Sequence, residues 1–167
     1  MVVGAGGACR ASIYALLQGL RASRVYLVNR YENEVEDIIN SFKAAGFTGE
    51  ILHVSSLEQA AQLETPVLVV GSVPDFPPKE PGEIRARAIA THFLERSQKG
   101  CVLEMCYHPN PRTEFYEIAN NNGWQVVLGT EAMIWQGVAQ QILWAELPLS
   151  QFNVEEAKKI IRQALGH

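Results

Sequence analysis

Met1-Val2-Val3-Gly4-Ala5-Gly6-Gly7-Ala8-Cys9-Arg10-Ala11-Ser12-Ile13 is the stretch whose reading decides the fold. Three apolar residues read as the end of a strand, and the glycines read as a tight turn. Behind them Ile13, Leu16, Leu17 and Leu20 recur at i, i+3, i+4 and i+7, the apolar face of a helix. Val25-Tyr26-Leu27-Val28 follows as a second strand. In a strand–turn–helix–strand unit the first glycine permits the tight turn. Gly6 lets a pyrophosphate approach the backbone, and the free N–H groups of the helix N-terminus hold it. The third fingerprint position is Cys9, small but neither Gly nor Ala. A glycine-rich turn alone is also an ordinary strand-to-helix joint; its context here points to dinucleotide binding.

The same alternation continues outward. Ile51-Leu52-His53-Val54, Val67-Leu68-Val69-Val70, Val102-Leu103-Glu104-Met105 and Trp124-Gln125-Val126-Val127-Leu128 read as four more strands. Between them Val35, Ile38, Ile39 and Phe42 keep helical spacing, Ser56 to Gln59 fits a capping box, and Ala86, Ile89, Ala90, Phe93 and Leu94 face inward on a long helix. Thr113 opens a further helix. Two more close the chain, one around Ala132 to Trp144. The other is capped by Asn153 and Glu156, with Ala157, Ile160, Ile161 and Ala164 inward. Gly71 to Pro81 is a Pro-rich loop. Six strands alternating with helices predict an α/β fold, a doubly wound, parallel six-stranded Rossmann-like sheet of order 3-2-1-4-5-6. Residues 1–150 form that domain, and 151–167 a C-terminal helix packing on it.

Composition narrows the function. The 167 residues are 47% hydrophobic and 19% charged, which is globular composition for one domain. A net charge of −4 provides no basic field for nucleic acid, so the expected partner is a small molecule. No apolar run is long enough to span a bilayer, and no signal peptide is legible. Cys9, Cys101 and Cys106 form no Cys-x-x-Cys pair, which suits a reduced, cytoplasmic compartment. His53, His92, His108 and His167 are scattered, so no metal site is expected. Cys106 beside Tyr107 and His108 suggests a thiol nucleophile, but a strand-end cysteine is more simply a buried one.

The ribose of a dinucleotide is read after the second strand, at Asn29-Arg30-Tyr31-Glu32. An acid there suits the 2′-hydroxyl of NAD, and an arginine the 2′-phosphate of NADP. Arg30 can serve the phosphate or stack on adenine. Glu32, the nearest acid, with Glu34, Glu36 and Asp37, opposes a phosphate, so NAD is favoured. The same acids also suit the first turn of a helix, where the dipole favours them.

At this point the residues resemble a family. Gly4 to Ala11 followed by Tyr26-Leu27-Val28-Asn29-Arg30 resembles the C-terminal NAD(P)-binding domain of shikimate/quinate dehydrogenases. Glu104-Met105-Cys106-Tyr107-His108-Pro109 resembles the family's acidic-x-x-Tyr-x-Pro strand end. Gly123-Trp124 with Gly129 resembles its last strand, and Met133-Ile134-Trp135-Gln136-Gly137 with Gln140 and Trp144 its Gln-Gly helix. Val73-Pro74-Asp75-Phe76-Pro77-Pro78 is most similar to the fungal quinate/shikimate branch.

The resemblance implies reversible hydride transfer between NAD or NADP and the ring alcohol of quinate or shikimate. It implies that Gly4, Ala5, Gly6, Gly7, Ala8 and Cys9 hold the pyrophosphate and that Asn29, Arg30 and Tyr31 surround the adenosine ribose. Met105 and Gly129 line the nicotinamide side, with Val73 also counted among the cofactor-binding residues. Tyr107 and Gln136 reach the substrate. Tyr107 and Gly129 also follow strand ends, where open sheets bind ligands. Read without the family, Tyr107 is a buried ring and Gln136 an ordinary helix position.

Three departures accompany the match. Nothing in the chain stands for the family's N-terminal substrate domain with its catalytic Lys and Asp, so no catalytic residue is assigned and the chain alone is expected to be inactive. Tyr31 and Glu32 replace the usual Thr and basic residue. Gly71-Ser72-Val73-Pro74 replaces an Asn-Ala-Thr type loop. The alternatives are a non-catalytic sensor resembling quinate-pathway repressors, and a free-standing dinucleotide-binding module that works with a partner chain.

Overall fold

Along β2 (Arg24–Val28) every side chain after Arg24 is buried, Val25 and Leu27 in one apolar cluster and Tyr26 and Val28 in another. A strand covered on both faces has no polar side to alternate with, which is why its sequence reads as a continuous apolar run. The computed structural model describes residues 1–165; Gly166 and His167, the end of the predicted 151–167 segment, lie outside the described residues.

The other strands are β1 (Val2–Val3), β3 (Glu50–His53), β4 (Leu68–Gly71), β5 (Cys101–Glu104) and β6 (Gln125–Leu128). All pair in parallel, in the order β3-β2-β1-β4-β5-β6, as the strand–helix alternation predicts. Val2 lies between Leu27 and Val70, so β1 sits at the middle of the sheet.

The helices cover both faces. On one, α1 (Gly7–Tyr14) and α2 (Glu32–Ala44) bury Ile13, Val35, Ile38 and Phe42 against Val2, Val25 and Leu27. On the other, α4 (Pro81–Glu95) and α5 (Glu114–Asn121), with the shorter α3 (Leu57–Gln62), bury Ala60, Ile89, Phe93, Leu94 and Phe115 against Tyr26, Val28, Val69 and Val102. α6 (Gly129–Ala145) and α7 (Val154–Leu165) complete the chain.

The predicted caps form. Ser56 Oγ accepts the N–H of Gln59 at 3.1 Å, though the Gln59 side chain returns to the N–H of Ser55 rather than of Ser56. Asn153 Oδ1 accepts the N–H of Glu156 at 3.0 Å. The hydroxyl of the buried Thr113 accepts the N–H of Tyr116 at 3.0 Å. Thr113→Ala is expected to cost about 1 kcal/mol. The readout is a lower urea midpoint at unchanged m-value, and an unmoved midpoint would show that the cap contributes nothing.

Two inward assignments are corrected. Leu20 is 64% exposed. Beyond α1 the chain makes a π-helical turn over Ala15–Gly19, and the Leu20 N–H bonds back five residues to Ala15 O at 3.0 Å. That wider turn rotates Leu20 off the face that holds Ile13, Leu16 and Leu17. On α7, Ile160 and Ala164 are exposed while Ala157 and Ile161 are partly buried. α7 lies along α6, with Lys158 and Arg162 reaching Glu131 at 3.3 and 3.1 Å. A helix resting on one neighbour buries only a narrow seam, so part of its apolar stripe stays open.

Candidate functional site

Four strand ends, Val3, Val28, Gly71 and Glu104, converge on one cleft of about 510 Å³. It lies outside the C-terminal ends of β1 and β4, where the strand order reverses and open sheets of this kind bind ligands. Gly4, Ala5 and Gly6 form its floor. Gly4 has φ +117°, a conformation that side chains rarely adopt, and a Cβ there would lie 2.7 Å from Ser72 Oγ. Ser72 Oγ in turn donates to Val3 O at 2.7 Å, fixing the loop after β4 against the glycine turn. Gly6 caps α1 and faces open space. The first bond within α1 runs from the Arg10 N–H to Gly6 O at 3.1 Å, so the N–H groups of Gly7, Ala8 and Cys9 precede it and remain available to an anion. These features fit a dinucleotide pyrophosphate: a backbone floor without a Cβ and donors at the helix start.

Cys9 does not face the cleft. It is buried with Val2, Ile13 and Leu27, and burial pushes its thiol up to about 12. It serves as the third fingerprint position usually does, by close helix–strand packing.

The edge after β2 is built from charges. Asn29 donates to Glu34 Oε2 at 2.7 Å and to Tyr31 O at 3.1 Å. Arg30 lies over the ring of Tyr31, 4.6 Å from its centroid, and pairs with Glu83 of α4 at 2.5 Å. The stacking suggested for Arg30 is thus made within the chain. Asn29, Arg30, Glu34 and Glu83 line the cleft, and Tyr31 and Glu32 do not. Glu32 is the exposed first residue of α2.

The far wall carries Glu104, whose side chain is 1% exposed. Its Oε1 accepts the Cys106 N–H at 2.9 Å, and its Oε2 is buried without a partner. Burial, and then the charge of Asp75, pushes its carboxyl up to about 7, against the bond from Cys106 and the charge of Arg87. A Cβ at Gly71 would collide with Oε2, so the glycine makes room for the acid. The Cys106 thiol donates to Val73 O at 3.2 Å and anchors the Pro-rich loop. Burial and the nearby Glu104 raise it to about 12, so it is a donor and not a thiolate nucleophile.

Of the residues assigned from sequence, Gly4, Ala5, Gly6, Asn29, Arg30 and Val73 share the cleft. Gly129 is buried against the carbonyls of Glu104 and Met105, so the two residues that the resemblance assigns to the nicotinamide side lie together beyond the cleft wall. Tyr107 is partly buried and Gln136 exposed, both outside the cleft. Sequence reading missed Glu83 and Arg87, and it placed Glu104 in the strand-end motif without giving it a role in the site. Glu104 left one signal, an acid closing an otherwise apolar central strand. Glu83 left another, an acid in the first turn of a helix opened by Pro81. Among the described residues no group of three His, Cys, Asp or Glu is placed to hold a metal ion. Among the same residues no helix is long and apolar enough to cross a membrane.

A quinate dehydrogenase of Emericella nidulans is 43% identical over 150 residues, which cover 86% of this chain and 46% of that protein. The dehydroquinate dehydratase and shikimate dehydrogenase structure from S. pombe AroM superposes with a TM-score of 0.71 at 28% identity, over 90% of this chain and 28% of that one. The chain matches the NAD(P)-binding domain of shikimate/quinate dehydrogenases. It corresponds to the Rossmann-like domain of those proteins and spans less than half the length of the quinate dehydrogenase. The shikimate 5-dehydrogenase of Thermus thermophilus, solved with NADP(H) and shikimate, superposes with a TM-score of 0.64 at 25% identity, over 95% of this chain and 53% of that one. The quinate dehydrogenase of Corynebacterium glutamicum, solved with NAD, shares the fold with a TM-score of 0.62 at 23% identity, over 90% of this chain and 52% of that one. No family model matches the sequence. The sensor alternative finds no support among these dehydrogenases.

Proposed function

We propose that this chain is the nucleotide-carrying domain of a dehydrogenase that acts on the ring alcohol of quinate or shikimate, and that it binds NAD in preference to NADP. The observation that carries the reading is the Gly4–Gly6 turn opening onto the switch-point cleft at the head of α1. The relatives solved with NAD or NADP(H) support the cofactor class. The N–H groups of Gly7, Ala8 and Cys9 would hold the pyrophosphate, and Asn29 and Arg30, with Tyr31 behind Arg30, would flank the adenosine ribose. Met105, Gly129 and Val73 stand toward the nicotinamide end. The cofactor, when bound, supplies the hydride acceptor or donor.

Tyr107 and Gln136 would meet the substrate when a substrate-binding domain lies opposite. Leu143 and Trp144, neighbouring exposed residues in the last turn of α6, offer an apolar surface for such a domain. Three free cysteines suit the reducing cytoplasm.

Calorimetric titration of the chain with NAD and with NADP tests the reading, together with a hydride-transfer assay on quinate and shikimate. Binding without turnover is expected, because general acid–base groups typically contribute ~10²–10⁴-fold and none is assigned here. Absence of binding to either dinucleotide overturns the cofactor reading. Turnover of quinate or shikimate at ordinary enzymatic rates overturns the expectation that another domain completes the site.

A further inference from the structure

We infer that Glu83 on α4, rather than Glu32, selects NAD over NADP, by holding the guanidinium that a 2′-phosphate would need. This deepens the cofactor reading above and rests on it.

Among the described residues Arg30 is the cleft's one cation on the ribose side, and the second, Arg87, is paired with Glu114 of α5. Arg30 is engaged on two sides, by the Tyr31 ring beneath it and by Glu83 Oε1 at its Nη1. Glu83 is not a loose surface acid. Its Oε2 accepts the N–H groups of Lys79 at 2.9 Å and Glu80 at 3.0 Å, the start of α4. Swinging away to release Arg30 would strip two donors from the helix start.

The approach is also sterically built. Gly82 packs so closely on the turn that a Cβ there would lie 2.8 Å from Arg30 O. Any larger residue pushes the head of α4 off the Arg30 backbone. Glu34, held by Asn29, lines the same edge, so two carboxylates face the ribose end of the cleft. A phosphate there carries close to two negative charges and accepts hydrogen bonds without donating. It would compete with Glu83 for Arg30 and be repelled by both acids. A ribose 2′-hydroxyl is neutral and can donate, so carboxylate neighbours do not oppose it. Glu32, exposed and outside the cleft, has no such contact.

The test is a paired titration with NAD and NADP at low ionic strength, on the wild type, Glu83→Gln, Gly82→Ala and Glu32→Gln, each checked for folding by circular dichroism. Gln at 83 keeps an acceptor for the Lys79 and Glu80 N–H groups, so the helix start persists. The wild type is expected to bind NAD more tightly. Glu83→Gln should move the ratio of the two Kd values toward NADP by about tenfold, the scale of one removed like charge at short range. Gly82→Ala should move it the same way, Glu32→Gln should leave it in place, and 0.5 M salt should shrink the wild-type preference. An unmoved ratio in Glu83→Gln, or tighter binding of NADP by the wild type, overturns the assignment to Glu83 while dinucleotide binding stands. Failure of the wild type and every variant to bind either dinucleotide overturns the cofactor reading itself.

Discussion

Gly6→Val should abolish dinucleotide binding and leave folding stability nearly unchanged. Gly6 is extended, with φ −78° and ψ −168°, which any residue adopts, and a Cβ built there meets nothing within 4 Å. The protein therefore accepts the side chain. A ligand does not, because the two methyls stand over the turn where a pyrophosphate must reach the N–H groups of Gly7, Ala8 and Cys9. A loss of at least about a hundredfold in affinity, or about 2.7 kcal/mol, is expected. Calorimetry and a denaturant curve check both halves together. Unchanged affinity for NAD in the folded variant would remove the glycine turn from the site. Gly4 should behave oppositely, because its φ of +117° and its contact with Ser72 make a side chain there a defect of the fold itself.

Glu104→Gln is expected to stabilise the protein at pH 8 and to leave it unchanged at pH 4. The native carboxyl titrates at about 7 against an ordinary 4.5, so between these values the folded state binds more protons than the unfolded one. Stability then falls as pH rises. The contribution of the neutral acid is fully present below about pH 4.5, is lost progressively between about pH 4.5 and 7, and is constant above. The size of that loss is about 3 kcal/mol. Gln mimics the neutral acid: one oxygen still accepts the Cys106 N–H, and no charge is created beside the unpartnered second position. Urea unfolding across pH 4–8 measures the difference between the two proteins. A constant difference over that range would show that the native carboxyl titrates at its ordinary value.

Much of the fold is legible because local and global signals agree. The glycine turn, the apolar strands and the helical periodicities each name the same alternation, and that alternation admits few sheet orders. Ser56, Thr113 and Asn153 cap where their side chains predict, since capping involves only residues within the same turn. Failures occur where a local pattern is overruled by geometry. The π-helical turn carries Leu20 off its face, and α7 has too little opposite it to bury Ile160.

The site divides along the same line. By itself the sequence determined the strand–turn–helix unit, the position of Gly4 to Gly6 at its head, and the acid–arginine cluster after the second strand. These depend on neighbours in the chain, and short-range sterics and hydrogen bonding decide them. Only the tertiary structure decided which acid meets Arg30 and what surrounds Glu104. Arg30 and Glu83 are 53 residues apart, brought together because α4 returns across the sheet and Gly82 lets its head touch the turn after β2. Glu104 shares a register position with Gly71 across two paired strands, and the missing side chain there is what admits a buried carboxyl. Both contacts follow from strand order and packing distance, which composition and periodicity do not encode, because charge and burial act through space between segments that sequence spacing leaves unrelated.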